Sequence, residues 1–245
     1  MQNESVFLHG WGMNQNVWQL LLTDLKSEIS NPIKTLDLPG FGNSKSCPEP
    51  YTFSSVAKKI AEQLSDNSTL VGWSLGGLFA IHIAKYYPEK VSKIILVASS
   101  PFFTQNNNWL GIKPDVLQNF MSQLTENSSK TIERFLAIQA MGSPSAKQDI
   151  KKLKHILKLS PEPKSIALNA GLNFLLTEDL RPLFTELTIP IYGIFGGLDS
   201  LVPIQAVTNM TQLNSNFKAH VFPKASHAPF ISHKNEFIQV LKEIL

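Results

Sequence analysis

Residues 70–84 read LVGWSLGGLFAIHIA, a lone serine flanked by glycines between an apolar run and a helix-like segment. Glycine weakens both strands and helices, so Gly72, Gly76 and Gly77 need a reason. Either the backbone turns sharply there or another segment comes very close. Gly72-Trp73-Ser74-Leu75-Gly76 matches G-x-S-x-G in a strand, turn, helix context, which predicts a strained turn that lifts the Ser74 hydroxyl above a helix N-terminus. The flanking elements carry more weight than the five letters.

Outward from this stretch, short apolar runs alternate with amphipathic segments. SVFLHG precedes a helix around 16–26, IKTLDLPG a helix around 54–65, and STLVGWS a helix from about 75 to 87, with KIILVASS following. This alternation predicts an α/β fold with a mostly parallel sheet flanked by helices, whose ligands bind where the strands end. Those ends read HG, DLPG and GWS. After Pro101 the alternation stops, and helices are expected at 115–124, 129–140, 146–158 and 163–176, separated by Pro114, Pro144, Pro161 and Pro163. It resumes with IPIYGIFGGLD, a helix near 203–213, FKAHVF and a closing helix at 233–244. The expected organisation is a core of 1–101 and 186–245 carrying a helical cap over 102–185.

A serine nucleophile needs a base, and the base needs an orienting acid. Asp199 directly follows the strand IYGIFGGL, and His227 lies in the loop after the strand holding His220 and Val221, so both project from the same sheet edge as Ser74. His82 and His155 fall inside helices, His220 inside a strand and His233 at the start of the last helix, positions that suit structural roles. His9 and Asp37 are expected to order their loops, and Asp179, in the cap, is the weaker rival to Asp199. The backbone N–H groups of Trp11 and Leu75 are candidates for an oxyanion hole.

Composition is that of a packed protein, 43% hydrophobic and 17% charged in 245 residues. No signal-like start or membrane-length apolar run is present, which points to the cytoplasm. Cys47 is the single cysteine and has no basic residue directly beside it, so it is expected to be a bystander. The histidines are scattered without a Cys/His cluster, and no metal or cofactor is expected. Segment 147–164 holds six lysines against one aspartate and one glutamate, with Lys147, Lys151, Lys154 and Lys158 at helical spacing. A stripe confined to one helix argues against nucleic acid and suits an acidic protein partner.

With HGWG, DLPGFGNS, GWSLGG, GGLDSLVP and SHAPFISH in this order, the chain resembles the α/β-hydrolase superfamily over its whole length. GWSLGGL, VASSPFF, WLGIKPDVL, ERFLAIQAMG and ASHAPFISH narrow the resemblance to the pimeloyl-[acyl-carrier protein] methyl ester esterases of biotin synthesis. The resemblance implies hydrolysis of the methyl ester of a pimeloyl chain carried on acyl carrier protein, releasing methanol; a monomer is expected. It matches Ser74, Asp199 and His227 to the catalytic triad, and Trp11, Ser74, Leu75, Phe135, Leu136, Ala137, Ile138, Gln139 and His227 to substrate-contacting positions. Lys130, Arg134, Lys147 and Lys151 match the positions that dock the carrier. Three of these are lysines where the family often has arginine, which keeps the charge without the bidentate fork. An N-terminal strand common in the superfamily is expected to be shortened or missing. The residues also fit a generalist esterase, lactonase or thioesterase, or a hydrolase-fold protein that binds a ligand with little turnover. Serine at the nucleophile position disfavours a dehalogenase.

Overall fold

The computed structural model describes residues 4–245. Strands β1 (Ser5–Leu8), β2 (Ile33–Leu36), β3 (Ser68–Trp73) and β4 (Val91–Val97) alternate with helices α1 (Gln19–Leu25), α2 (Phe53–Ala61) and α3 (Leu75–Tyr86). Next come α4 (Pro114–Glu126), α5 (Ser128–Ala140), α6 (Ala146–Leu157), α7 (Ser165–Thr177) and α8 (Arg181–Glu186), all between β4 and β5 (Ile191–Gly196). The chain closes with α9 (Ile204–Leu213), β6 (Phe217–Phe222), α10 (Pro229–Ser232) and α11 (Lys234–Ile244).

Among the described residues the strands form one six-stranded sheet in the order β2-β1-β3-β4-β5-β6, and every pairing is parallel. Helices cover both faces of the central strands, so β1 and β3 are buried at every residue, while β6 at the edge exposes Lys218, Ala219 and His220. The chain moves from β1 outward to β2, then returns past β1 to β3. The direction of winding therefore reverses between β1 and β3, the position where open α/β sheets bind ligands at the C-terminal ends of their strands. The HGWG loop and Ser74 flank that reversal.

The four long helices of the insertion start and stop within about two residues of the positions read from proline spacing. Short elements differ from expectation. The first helix splits into a 3₁₀ turn at Gln15–Trp18 followed by α1, and α8 and α10 are extra short helices with a proline in the first turn.

Candidate active site

Ser74 is held in a conformation that few side chains adopt, with φ of 52° and ψ of −120°. Such a backbone costs about 1–3 kcal/mol and persists only where its surroundings enforce it. Here the Ser74 N–H donates to the Val97 carbonyl at 3.0 Å, while the Ser74 carbonyl accepts from the Gly77 N–H at 2.9 Å and the Ser99 hydroxyl at 2.7 Å. The glycines supply clearance; the positive φ belongs to the serine itself. A Cβ at Gly72 would lie 2.6 Å from the Gly76 carbonyl carbon, and one at Gly76 would lie 2.7 Å from the Leu8 carbonyl oxygen. Strand β3, helix α3 and the end of β1 thus meet backbone to backbone.

Asp199 and His227 are paired. The Nδ1–H of His227 donates to Asp199 Oδ2 at 2.7 Å, with both side chains buried. Asp199 Oδ1 accepts the Leu201 and Val202 N–H groups at 2.8 and 3.1 Å, which fixes the carboxylate and hence the ring. With Nδ1 as donor, Nε2 is left as the proton acceptor. The His227 loop is anchored from two sides. Trp73 Nε1 donates to the His227 carbonyl at 2.9 Å; the His227 N–H donates to the Gln139 carbonyl of α5 at 3.0 Å, and the Ser226 hydroxyl donates to the Met141 carbonyl at 2.9 Å. Sequence reading missed Trp73, Ser99 and Ser226 as supports, because none of these bonds is local in the chain.

Ser74 Oγ and His227 Nε2 are buried and make no hydrogen bond to another protein group. Nucleophile and base contacts are often loose before substrate arrives. Leu75 opens α3, so its N–H is among those a helix leaves without an internal partner. A Cβ at Gly10 would lie 3.1 Å from Ser74 Cβ, which puts the backbone leading to Trp11 against the serine. The Trp11 indole is wholly buried at the joint between core and insertion, donating to the Leu168 carbonyl at 2.9 Å and packing edge-on against Phe135 at 4.8 Å.

The remaining titratable groups have other work. Burial lowers the His9 pKa to about 4, and its ring donates from Nδ1 to the Gly10 carbonyl while Nε2 accepts the Leu38 N–H at 3.0 Å. Neutral His9 ties the loop after β1 to the loop after β2. Asp37 accepts from the Gln15 N–H at 2.7 Å and the Asn43 N–H at 2.8 Å, shaping its own turn. Burial lowers His82 to about 4 as well, between Phe53 and Tyr86. Asp179 pairs with Arg181 at the surface, away from His227. Among the described residues no group of three His, Cys, Asp or Glu could hold a metal ion, and no helix is long and apolar enough to cross a membrane.

Within α5, Phe135, Leu136 and Gln139 are buried, Ile138 is half-buried and Ala137 is exposed. Lys130 and Arg134 on α5, and Lys147 and Lys151 on α6, are exposed. The Lys154 ammonium, from the same stripe, pairs with Glu133 at 2.7 Å and links α6 to α5. A cavity of about 310 Å³ opens between these helices and the start of α7, lined among others by Ile132, Lys154, Leu157 and Leu168.

A hydroxyl on a strained turn, a carboxylate-backed imidazole and helix N-terminal N–H groups at one sheet edge are the parts that nucleophilic acyl transfer requires. The comparisons with known proteins agree with that chemistry. A model of the alpha/beta hydrolase fold matches residues 6–234. The pimeloyl-[acyl-carrier protein] methyl ester esterase of Pseudoalteromonas atlantica is 48% identical over 240 residues, spanning 97% of this chain and 92% of that protein. The protein of the same name from Vibrio parahaemolyticus is 43% identical over 238 residues, spanning 97% and 92%. Among solved structures, an esterase from Exiguobacterium antarcticum superposes with a TM-score of 0.86 at 23% identity, covering 99% of this chain and 91% of its own. The enol-lactonase from Burkholderia xenovorans superposes at 0.84 with 14% identity, covering 99% and 91%, a likeness of fold alone. The chain therefore belongs to the alpha/beta hydrolase fold family and, within it, to the pimeloyl-[acyl-carrier protein] methyl ester esterases.

Proposed function

We propose that this protein is a serine carboxylesterase that hydrolyses pimeloyl-acyl carrier protein methyl ester to pimeloyl-acyl carrier protein and methanol, in biotin synthesis. His227 Nε2 takes the Ser74 proton as Oγ attacks the ester carbonyl, and Asp199 keeps the ring in the required tautomer. The N–H groups of Trp11 and Leu75 hold the developing oxyanion. Collapse expels methanol, protonated by His227, and water then cleaves the acyl-enzyme. The chemistry needs no metal or cofactor, since serine, imidazole and carboxylate supply nucleophile, base and orienting group.

The observation that carries the hydrolytic part is the buried Asp199–His227 pair at the same edge as strained Ser74. The choice of ester is supported by relatives of that name at 43–48% identity, matched over 97% of the chain. Helices α4–α8 act as a cap, with Phe135, Leu136, Ile138 and Gln139 of α5 facing the acyl chain and Lys130, Arg134, Lys147 and Lys151 meeting the acidic carrier. Exposed cations on two packed helices steer an acidic partner in a salt-dependent way. The reading places a monomer in the cytoplasm.

Methanol release from carrier-linked methyl esters of different acyl length tests it. The seven-carbon chain is expected to turn over fastest, and Ser74→Ala to lower turnover by a factor on the order of 10⁴ or more. Equal rates for a shorter and a longer chain would overturn the choice of ester; near-full activity of Ser74→Ala would overturn the mechanism.

A further inference from the structure

Helix α5 carries Ile132, Phe135 and Gln139 at spacings of three and four residues, which places them along one face. That face runs from one side of the site to the other. Ile132 approaches Gly12, where an added Cβ would lie 3.5 Å from its Cγ2; Phe135 packs on Trp11; and the Gln139 carbonyl accepts the His227 N–H at 3.0 Å. Ser74 lies between these contacts, because Gly10 abuts its Cβ and its neighbour Trp73 holds the His227 carbonyl. Gln139 is therefore placed between the Trp11 loop and the His227 loop, beside the strand ends that carry Ser74.

Its side chain is 0% exposed, and neither Nε2 nor Oε1 bonds to another protein group. Among the described residues seven buried side-chain polar atoms lack a protein partner; four of them are Ser74 Oγ, His227 Nε2 and the two amide atoms of Gln139. A buried amide without partners lowers stability, and an apolar side chain of the same size would avoid the loss. Its presence beside the histidine indicates a ligand met during turnover.

Building on the esterase reading, we propose that the Gln139 carboxamide positions the water that cleaves the acyl-enzyme. Oε1 accepts one O–H of the water, turning the other towards His227 Nε2. The water oxygen bonds to the acyl carbon of the Ser74 ester as its proton passes to Nε2. The C–Oγ bond then breaks, Nε2 returns the proton to Ser74 Oγ, and the free acid departs. Gln139 thus serves the second half of the reaction, in which no leaving alcohol occupies the site.

Rapid-mixing kinetics of Gln139→Met with a p-nitrophenyl ester, joined to intact-mass measurement of the quenched enzyme, tests this. The burst of nitrophenol should fall far less than steady turnover, which should drop about tenfold, the size of one lost hydrogen bond in the transition state. Acyl-enzyme should accumulate, hydroxylamine should restore turnover because it does not need a positioned water, and the melting temperature should rise. Unchanged turnover, or burst and steady rates that fall together, would overturn the proposal. So would a melting temperature that falls together with turnover, which would make Gln139 a packing residue. A burst that survives in Ser74→Ala would instead fault the nucleophile on which the esterase reading rests.

Discussion

The sheet edge and the helical insertion contribute to the site by different means. At the edge, Ser74, Asp199 and His227 are placed by main-chain bonds: Val97 and Gly77 to Ser74, Leu201 and Val202 to Asp199, and Gln139 to His227. The insertion, apart from the Gln139 and Met141 carbonyls that hold the His227 loop, presents side chains, an apolar and amide face on α5 and exposed cations on α5 and α6. Backbone placement depends on approaches that only particular residues permit, so it suits chemistry that must not vary. Side-chain placement on helix faces can change residue by residue, so it suits the choice of acyl group and carrier. The two regions join where the C-terminal carbonyls of α5 hold Ser226 and His227.

Asp199→Asn preserves shape but can present the wrong ring nitrogen to Ser74, so kcat for a small ester should fall by a factor of about 10³–10⁴ at neutral pH. A loss under tenfold would mean that Asp199 does not orient the base. The next largest effect concerns stability. Gly76→Ala would bring a Cβ to 2.7 Å from the Leu8 carbonyl and 2.8 Å from the His9 carbonyl, and should cost about 1–3 kcal/mol. Thermal unfolding measures it, and an unchanged melting temperature would contradict the backbone contact.

A further test is the response to acid. His9 titrates near 6.5 when unfolded and at about 4 when folded, so the unfolded chain binds more protons between those values. Stability should therefore decline as pH falls from about 6.5 towards 4, with His82 acting in the same direction. Melting temperatures that stay flat between pH 7.5 and 5 would contradict a neutral, buried His9.

The two regions also differed in how far sequence revealed them. Strand ends were legible because apolar runs terminate in HG, DLPG and GWS, and the order serine, acid, histidine follows from the fold's topology. The long helices of the insertion were legible from their helical period, with prolines marking the breaks except between α4 and α5, where Asn127 caps α5. The short α8 was not, since six residues beginning with Arg181 and Pro182 carry no helical period to read. The resemblance supplied five consecutive substrate positions, 135–139, but five residues exceed one helical turn. Ala137 consequently points to solvent, and the face is set by Phe135 and Gln139. Likewise Lys154 continues the lysine stripe in sequence, yet in the fold its ammonium is engaged by Glu133. The bonds from Trp73 and Ser226 to partners 154 and 85 residues away had no sequence signal at all.

The most direct test of the division between the two regions is kcat/KM for Lys147→Glu/Lys151→Glu, measured with the carrier-linked pimeloyl methyl ester and with free dimethyl pimelate. A fall on the order of tenfold is expected for the carrier-linked ester, through KM and weakening at high salt, with the free ester unaffected. Equal losses on both esters, or no loss on either, would contradict it.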